Sequence, residues 1–192
     1  SDIIKKELRL EVNTNNIKIF LSFGNNKYLK SRERILNEAK TINIFDEYCV
    51  EKDNVYDELI YKEIVDRVNC SWFQESRGGG WWSWKPYIVC KHLRDMNDGD
   101  ILFYCDAGTQ IHNCKRTIDT FKYLFELVSN SEKCPTGIIA FNTKGQLCSQ
   151  MEYIFTITAL FDYFGVTDDK NITDTHQVEA TVLCICKNTK SM

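Results

Sequence analysis

The sequence lacks the long apolar runs and the targeting segment of a membrane or secreted protein. No window approaches the ~18 consecutive apolar residues that a membrane-spanning helix needs. The first residues, SDIIKK, do not form the apolar stretch of a signal peptide. We therefore expect a protein without a membrane span.

Proline is scarce, and several common motifs are absent. Only two of the 192 residues are proline, and no repeat or low-complexity tract divides the chain, so there is no sign of a linker between domains. The glycine run at 78–80 is neither followed by Gly-Lys-Ser/Thr nor preceded by a strand, which excludes a Walker-type loop and a Rossmann fingerprint. No Cys-x-x-Cys pair is present, which argues against a zinc knuckle.

The composition is that of an ordinary globular domain. Hydrophobic residues make up 43% of the chain and charged residues 27%, and the net charge is −3. Because the lysines and arginines are scattered and the net charge is negative, we expect no nucleic-acid partner. Most of the nine cysteines sit in apolar runs, and we interpret them as reduced, buried side chains of a cytoplasmic protein.

Apolar periodicity predicts an α/β fold. Residues 1–16 form a polar lead-in, and residues 17–192 form one domain in which strands and helices alternate. Such alternation indicates a mainly parallel central sheet flanked by helices. The predicted strands are 17–23, 44–50, 101–105, 137–142 and 178–187, and the predicted helices are 27–41, 55–68 (with Leu59, Ile60, Ile64 and Val68 facing inward), a segment from Ser83 to Met96, 113–129 and 149–164.

Two predicted strand ends carry residues suited to ligand binding. The first strand ends in Ser22-Phe23-Gly24, and the all-apolar strand over 101–105 runs into Asp106-Ala107-Gly108. In open α/β sheets, ligands bind beyond the carboxyl ends of the strands. A carboxylate directly after a buried strand is held at that edge, where a metal ion, a ribose hydroxyl or a helix N-terminus can meet it. The alternative role of Asp106 is to cap the next turn.

The segment over 77–86 concentrates glycine, tryptophan and basic residues. Three consecutive glycines permit a close approach of backbone to a ligand. Trp81, Trp82 and Trp84 have flat faces that suit sugar rings, and Lys85 has a charge for phosphate. Alternatively, the tryptophans belong to the core and the glycines to a loop.

The histidines give weak signals. We expect His92 to be a core residue on an apolar helix face and His112 to lie in an exposed loop. His176, beside Gln177 and just before the last strand, is a candidate site residue. No Ser/His/Asp or Cys/His set stands at local spacing.

Two blocks in the middle of the chain carry a family resemblance. Residues 80–86 (GWWSWKP) are followed by about a dozen residues of predicted helix and then by residues 99–108 (GDILFYCDAG). Together with 19–24 (IFLSFG) and the late Gln177-x-x-Ala180 element, this pattern resembles a family of small GT-A-type glycosyltransferases found in large DNA viruses and some microbes. The resemblance covers about residues 17–188.

The resemblance implies a single GT-A-like domain with a nucleotide-sugar donor, a UDP-sugar, at the carboxyl edge of the sheet. Ser22, Phe23 and Gly24 match the turn that holds the nucleobase and ribose. Lys85 matches a basic residue near the diphosphate, and residues 106–108 take the place of an Asp-x-Asp motif. The implied donor-binding set is Ser22, Phe23, Gly24, Trp84, Lys85, Asp106, Ala107 and Gly108, to which Arg77 is added because a guanidinium can contact phosphate.

The resemblance also implies a divalent metal, Mn²⁺ or Mg²⁺, that bridges the diphosphate and acts as a Lewis acid for the leaving UDP. Gly108 stands where the motif has its second carboxylate and has no side-chain ligand. Asp106 would therefore need another ligand, for which His176 is the candidate, unless the donor itself holds most of the metal.

The acceptor side is assigned to Trp81, Trp82, His176 and Gln177, with a glycan or glycoprotein as the acceptor. An inverting enzyme needs a general base, for which Glu152 and Asp162 are candidates, whereas a retaining enzyme can work without one. A solvated helix face is the alternative role of both carboxylates. The sequence predicts neither the stereochemistry nor the oligomeric state.

Two other functions remain open at this point. The chain could be a catalytically inactive nucleotide-sugar-binding module, or a carbohydrate-binding module that uses the tryptophans alone. The resembled family usually continues past the last strand into a further helix, whereas this chain stops at Met192. We therefore expect either a trimmed catalytic domain or a minimal natural form.

Overall fold

The computed structural model describes residues 16–68, 82–144, 150–156 and 158–192. The strands are β1 (Lys18–Phe23), β2 (Glu47–Glu51), β3 (Ile101–Cys105), β4 (Ile138–Asn142) and β5 (Val178–Cys186). The helices are α1 (Leu29–Ile42), α2 (Leu59–Val68), α3 (Trp84–Asp95), α4 (Lys115–Ser129), α5 (Glu152–Phe155), α6 (Thr158–Phe164) and α7 (Lys170–Thr173), with 3-10 turns at Asn26–Tyr28 and Asp53–Asp57. None of the described helices is long and apolar enough to cross a membrane.

The strands form one open sheet in the order β2-β1-β3-β5-β4. β1 is parallel to both β2 and β3, whereas β5 is antiparallel to both β3 and β4. The predicted α/β fold with flanking helices is confirmed. The sheet is mixed, with two parallel and two antiparallel pairings, so the predicted mainly parallel sheet is not confirmed. β4 ends and β5 begins at the carboxyl edge of the sheet, so β5 runs back through it in the opposite direction.

Apolar side chains cover both faces of the sheet. Because successive side chains of a strand point to opposite faces, Phe20 and Phe103 pack with α1 and α4, while Leu21 and Leu102 pack with α3. The fold therefore has three layers, with the sheet in the middle. All five residues of β3 are buried, as predicted for a central strand covered on both sides.

Two sequence-based expectations about helices are wrong in detail. Leu59, Ile60 and Ile64 of α2 were expected inside but are exposed, whereas Tyr61 is buried. The ring of Tyr61 packs against other tyrosines and its hydroxyl is 2.9 Å from Ser83 Oγ, which sets the rotation of the helix. The side chain of Val68, the fourth member of that face, lies outside the described residues. The predicted helix over 149–164 is instead two short ones, α5 and α6.

The cysteines among the described residues are free thiols. Cys184 and Cys186 are buried on the same face of β5, as their spacing predicts. Cys90 was expected to be buried and is exposed, because it lies on the outer face of α3.

A half-buried charge cluster joins α3 to the end of β2. His92 Nε2 is 2.9 Å from Glu51 Oε1, and Lys91 Nζ is 3.0 Å from that same oxygen. Lys91 Nζ is also 2.7 Å from Glu58 Oε1, and the Tyr87 hydroxyl donates to Glu58 Oε2 at 2.6 Å. His92 therefore lies on the inward face of its helix as an ion-paired residue rather than an apolar one.

The cluster changes the pKa of both central partners. Burial opposes the charged form of His92, but hydrogen bonds to Cys49 and Glu51 outweigh it and raise the pKa to about 9. The hydrogen bond to His92 lowers the pKa of Glu51 to about 2, against the effect of burial and with help from Lys91. Both groups are therefore charged at neutral pH.

We predict that this pair makes stability depend on pH at both ends of the range. The raised pKa of His92 stabilises the fold below its ordinary value of 6.5, and this contribution is lost as the pH rises to about 9. The lowered pKa of Glu51 stabilises the fold above 4.5, and this is lost as the pH falls towards about 2. Urea titrations at pH 6.5 and pH 9 should show the free energy of unfolding falling by about 2 kcal/mol over the alkaline step.

Two histidine variants test the alkaline step. His92→Gln should largely abolish it, because the group that titrates has been removed. His112→Gln is the matched control, since His112 is exposed, and it should keep the wild-type pH dependence. An alkaline fall of unchanged size in His92→Gln would contradict the assignment.

Candidate functional site

The topology creates a crevice between β1 and β3. From β1 the chain goes first to β2 on one side and later to β3 on the other, so the two strands flank a switch point. Ligands of open α/β sheets bind at such points, outside the carboxyl ends of the strands. Gly24 follows β1 here and Ala107 lies just beyond β3. A Cβ added to Gly24 would be only 3.6 Å from the Cβ of Ala107, so the two predicted turns lie side by side.

A buried ion pair fixes Asp106 on the α3 side of the crevice. Lys85 Nζ is 2.9 Å from Asp106 Oδ1 and donates to the carbonyl oxygen of Ala180 at 2.9 Å. The Tyr104 hydroxyl donates to the same Oδ1. Burial, and then the Asp106 carboxylate, raise the pKa of Tyr104, which keeps its hydroxyl protonated as a donor.

These contacts bear on the predicted role of Lys85. The residue is only 8% exposed, and its ammonium is already shared between a carboxylate and a carbonyl. In this structure Lys85 is the counter-ion of Asp106 rather than a charge open to a phosphate. Asp106 Oδ2 accepts no hydrogen bond from the described residues, and the side chain is 32% exposed.

A divalent metal fits this site through a single carboxylate oxygen. Mg²⁺ and similar ions are commonly held by one or two carboxylates together with substrate phosphates, and Asp106 Oδ2 can be that protein ligand. Gly108 adds no ligand, and a Cβ built there would meet no atom within 4 Å. Within the described ranges, no group of three or more His, Cys, Asp or Glu side chains stands ready to hold a metal.

His176, the predicted second metal ligand, lies far from the residue of β5 that pairs with Asp106. The Asp106 amide donates to the carbonyl of Thr181, five residues after His176. Five residues of extended chain span about 15 Å. The structure therefore does not bring His176 to Asp106, and Asp106 is the remaining one of the two predicted metal ligands.

Aromatic rings form the floor of the crevice on the α3 side. The rings of Phe23 and Trp84 stack with centroids 3.8 Å apart, and both residues are buried. Tyr56 meets Phe23 edge-on at 6.1 Å, and its buried hydroxyl has no hydrogen-bond partner among the described residues. Burial raises the pKa of Tyr56 to about 12. Phe23 and Trp84 thus support the site from below rather than offering a free face to a ligand.

Of the other predicted aromatic and basic residues, Trp82 is described and is 44% exposed, with a positive φ of 60°. Trp81 and Arg77 lie outside the described residues. Trp82 directly precedes the Ser83-Trp84 start of α3, so an exposed ring lies within two residues of the ring stack. Of the two described tryptophans in this segment, Trp84 is therefore buried, as the core interpretation predicts, and Trp82 is exposed.

Helix α1 clamps both turns, a feature that sequence reasoning missed. Arg32 Nη1 donates to the carbonyl of Gly24 at 2.7 Å, and Arg34 Nη2 donates to the carbonyls of Ala107 at 3.0 Å and Thr109 at 2.9 Å. Arg34 is itself held by Glu38 at 2.9 Å. Helical periodicity was the sequence signal that could have identified Arg32, since it lies on the same inward face of α1 as Ile35 and Ala39.

Glu152, His176 and Gln177 lie together at the start of β5. Met151 forms a β-bridge with His176, and the Gln177 amide donates to the carbonyl of residue 150 at 2.7 Å. Glu152 Oε1 accepts from the Val178 amide at 3.2 Å. Val178 is three residues from Thr181, about 10 Å along the strand, so this group borders the crevice without entering it.

Asp162, the other candidate base, is not brought to the crevice. It is exposed on α6, and its Oδ1 accepts from the Thr167 hydroxyl at 2.5 Å. The alternative role, a carboxylate on a solvated helix face, fits Asp162 better. His112 is exposed, as expected.

The comparisons with protein-family models, with curated proteins and with solved structures found no match.

We predict that Lys85 and Asp106 are energetically coupled. Asp106→Asn leaves a buried ammonium without its carboxylate and should lower the free energy of unfolding by about 2 kcal/mol, because buried charges need a counter-ion. Adding Lys85→Met should restore part of that loss, whereas independent sites would simply add. Urea titration of the two single variants and the double variant measures the coupling.

The exposed pair Lys170–Asp174 is the control for this cycle. Its side chains are 76% and 45% exposed, so its coupling should stay below about 0.5 kcal/mol. Equal coupling at the two pairs would show that burial does not strengthen the Lys85–Asp106 interaction.

Proposed function

We propose that this protein is a glycosyltransferase that transfers a sugar from a nucleotide-sugar, a UDP-sugar, to a glycan or glycoprotein acceptor. One observation supports this above others. The two turns that resemble donor-binding elements, 22–24 and 106–108, lie far apart in sequence yet meet at one switch point of the sheet. A GT-A-type domain and a cytoplasmic location are parts of the same proposal.

In the proposed complex the donor lies across the β1–β3 crevice. The carbonyl-lined turn at Gly24 and the Phe23–Trp84 stack form the floor under the nucleoside. Asp106 presents Oδ2 towards the diphosphate end, while Lys85 and Tyr104 hold its other oxygen in place. When bound, Mn²⁺ or Mg²⁺ would be held by Asp106 Oδ2 and would supply Lewis-acid stabilisation of the leaving diphosphate.

The acceptor is proposed to enter beside the start of β5. Trp82 contributes an exposed ring, and His176 and Gln177 contribute polar groups on the segment that leads into β5. Glu152 is the better candidate for a general base, since it contacts Val178 of β5, whereas Asp162 points into solvent on α6. A base must come within hydrogen-bond reach of the acceptor hydroxyl.

The proposal predicts donor-dependent UDP release that needs the Asp106 carboxylate. Incubation with a panel of UDP-sugars, with and without Mn²⁺, should release UDP from at least one donor. Asp106→Asn should reduce the rate at least about 100-fold, because it removes the anionic oxygen that would hold the metal ion and, through that ion, stabilise the negative charge of the leaving diphosphate. The variant is assayed well below its unfolding temperature, with circular dichroism confirming that it is folded.

Asp95→Asn is the matched control, since it removes an exposed carboxylate at the last residue of α3, the opposite end of that helix from Lys85. It should keep the wild-type rate. Failure of every UDP-sugar to release UDP would contradict the proposal, and survival of most of the activity in Asp106→Asn would overturn the site assignment.

A nucleotide-sugar-binding module without catalysis is the second candidate, and Gly108 favours it because the motif's second carboxylate is absent. A module that binds sugar through tryptophans alone is less favoured, since Trp84 is buried in a ring stack. Titration of tryptophan fluorescence with UDP and with free sugars separates these cases. Binding of UDP without turnover would support the nucleotide-sugar-binding module. Binding of sugar but not of UDP would support the module that uses tryptophans alone.

A further inference from the structure

Arg32 is a buried cation without a carboxylate partner among the described residues. It is 9% exposed and lies in the first turn of α1, where its Nη1 donates to the carbonyl of Gly24. Among the described residues, Lys85 is the other lysine or arginine buried to this degree, and it is paired with Asp106. An uncompensated buried charge is costly, so its retention calls for an explanation.

Two carboxylates at the crevice already have other cationic partners. Asp106 pairs with Lys85 on the α3 side of the sheet. Glu38 pairs with Arg34 and also accepts from the amide of Ile111 at 2.8 Å. Neither is therefore the missing counter-ion of Arg32.

The side chain of Arg32 runs along the floor of the crevice on the α1 side. A Cβ added to Gly24 would meet Arg32 Cβ at 3.2 Å and Cδ at 3.6 Å, with Ala107 also at 3.6 Å. The absence of a side chain at Gly24 is what lets the arginine lie there. The buried, unpartnered side-chain atoms of the described residues do not include an Arg32 nitrogen, so the guanidinium N–H groups not bound to Gly24 still reach solvent.

A second polar group without a partner lies on the same strand end. Ser22 is fully buried, and its Oγ has no hydrogen-bond partner among the described residues. It stands two residues before Gly24, on the face of β1 that packs with α1. Buried hydroxyls are normally hydrogen-bonded, so Ser22 Oγ is a second polar group at this strand end whose hydrogen-bonding capacity the described residues leave unused.

We propose that Arg32 is the anion-binding residue of this crevice and takes a phosphoryl group, specifically a diphosphate. Its planar guanidinium can give parallel hydrogen bonds to phosphate oxygens. The partial positive charge at the start of α1 adds to the attraction. Identification of the diphosphate as part of a nucleotide-sugar rests on the proposed function, whereas the anion site itself does not. Lys85 then keeps Asp106 in place while Arg32 binds the diphosphate.

The first test measures binding of inorganic pyrophosphate by isothermal titration calorimetry. Wild type should bind it, and Arg32→Gln should bind at least about 10-fold more weakly. Glutamine can still donate to the Gly24 carbonyl, so the variant removes the charge and leaves the local contact possible. Lys40→Gln, at the other end of the same helix and exposed, is the matched control and should stay within twofold of wild type.

Stability separates a binding role from a structural one. If Arg32 is retained for an anion, Arg32→Gln should be as stable as wild type or more so in thermal unfolding, since it removes an unpaired buried charge. Added pyrophosphate should raise the unfolding temperature of wild type but not of Arg32→Gln. A strong loss of stability together with unchanged pyrophosphate binding would overturn the proposal, as would absence of pyrophosphate binding to wild type.

A UDP arm distinguishes the two proposals from each other. Pyrophosphate binding that depends on Arg32, without UDP binding or UDP release from any donor, would keep the anion site and overturn the glycosyltransferase. UDP-sugar turnover with unchanged KM and kcat in Arg32→Gln would support the glycosyltransferase and overturn the anion site at Arg32. Both proposals are supported if UDP binds more tightly than pyrophosphate and Arg32→Gln weakens both.

Discussion

The buried ion pair between Lys85 and Asp106 is the interaction on which the arrangement of the crevice depends. Through it, the first turn of α3 is tied to the end of β3, and the second contact of the lysine, to Ala180, ties both to β5. Three elements from separate parts of the chain thus share one ammonium group. Such a pair is of modest net value for stability, since burying two charges costs nearly what their attraction returns. Its clearer effect is to fix one oxygen of Asp106 and leave the other directed outward.

On the opposite side of the crevice, charged side chains of α1 hold the two turns in place. Arg34 and Glu38 of α1 hold the loop after β3, and Arg32 holds the turn after β1. Each turn is therefore fixed by side-chain donors to its carbonyls, and the turn after β3 also by the backbone hydrogen bond from the Thr109 amide to the Asp106 carbonyl at 2.9 Å. This leaves an acidic group on the α3 side and a basic group on the α1 side of one cleft, which suits a ligand that carries both hydroxyl and phosphoryl groups. The proposed donor is a ligand of that kind.

Much of this could be read from the sequence, for local reasons. The strand β3 and the position of Asp106 after it follow from five consecutive apolar residues ending at a carboxylate. The direction of β5 could not be read in this way, because strand and helix alternation does not say whether a connection crosses the sheet or stays at one edge. The rotation of α2 was misjudged because a tyrosine pair and a hydroxyl contact at Tyr61, not the aliphatic residues, decide which side faces in. Arg32 was missed because a charged residue in an apolar stripe is normally assigned to solvent.

The space around Gly108 shows whether packing requires a glycine at this position. A Cβ there would meet no atom within 4 Å, so packing does not require glycine at this position. Gly24 is the contrasting case, since a Cβ would crowd Arg32 at 3.2 Å. The glycine after β1 is thus explained by the arginine that lies against it, whereas packing gives no reason for a glycine at position 108. Asp106 is the single carboxylate of this turn, whereas an Asp-x-Asp site has two, and Arg32 adds a positive charge to the same cleft. The described residues at the cleft therefore carry less negative charge than an Asp-x-Asp site would. In the proposed enzyme, more of the diphosphate charge would then be neutralised by protein cations, and less would depend on a bound metal.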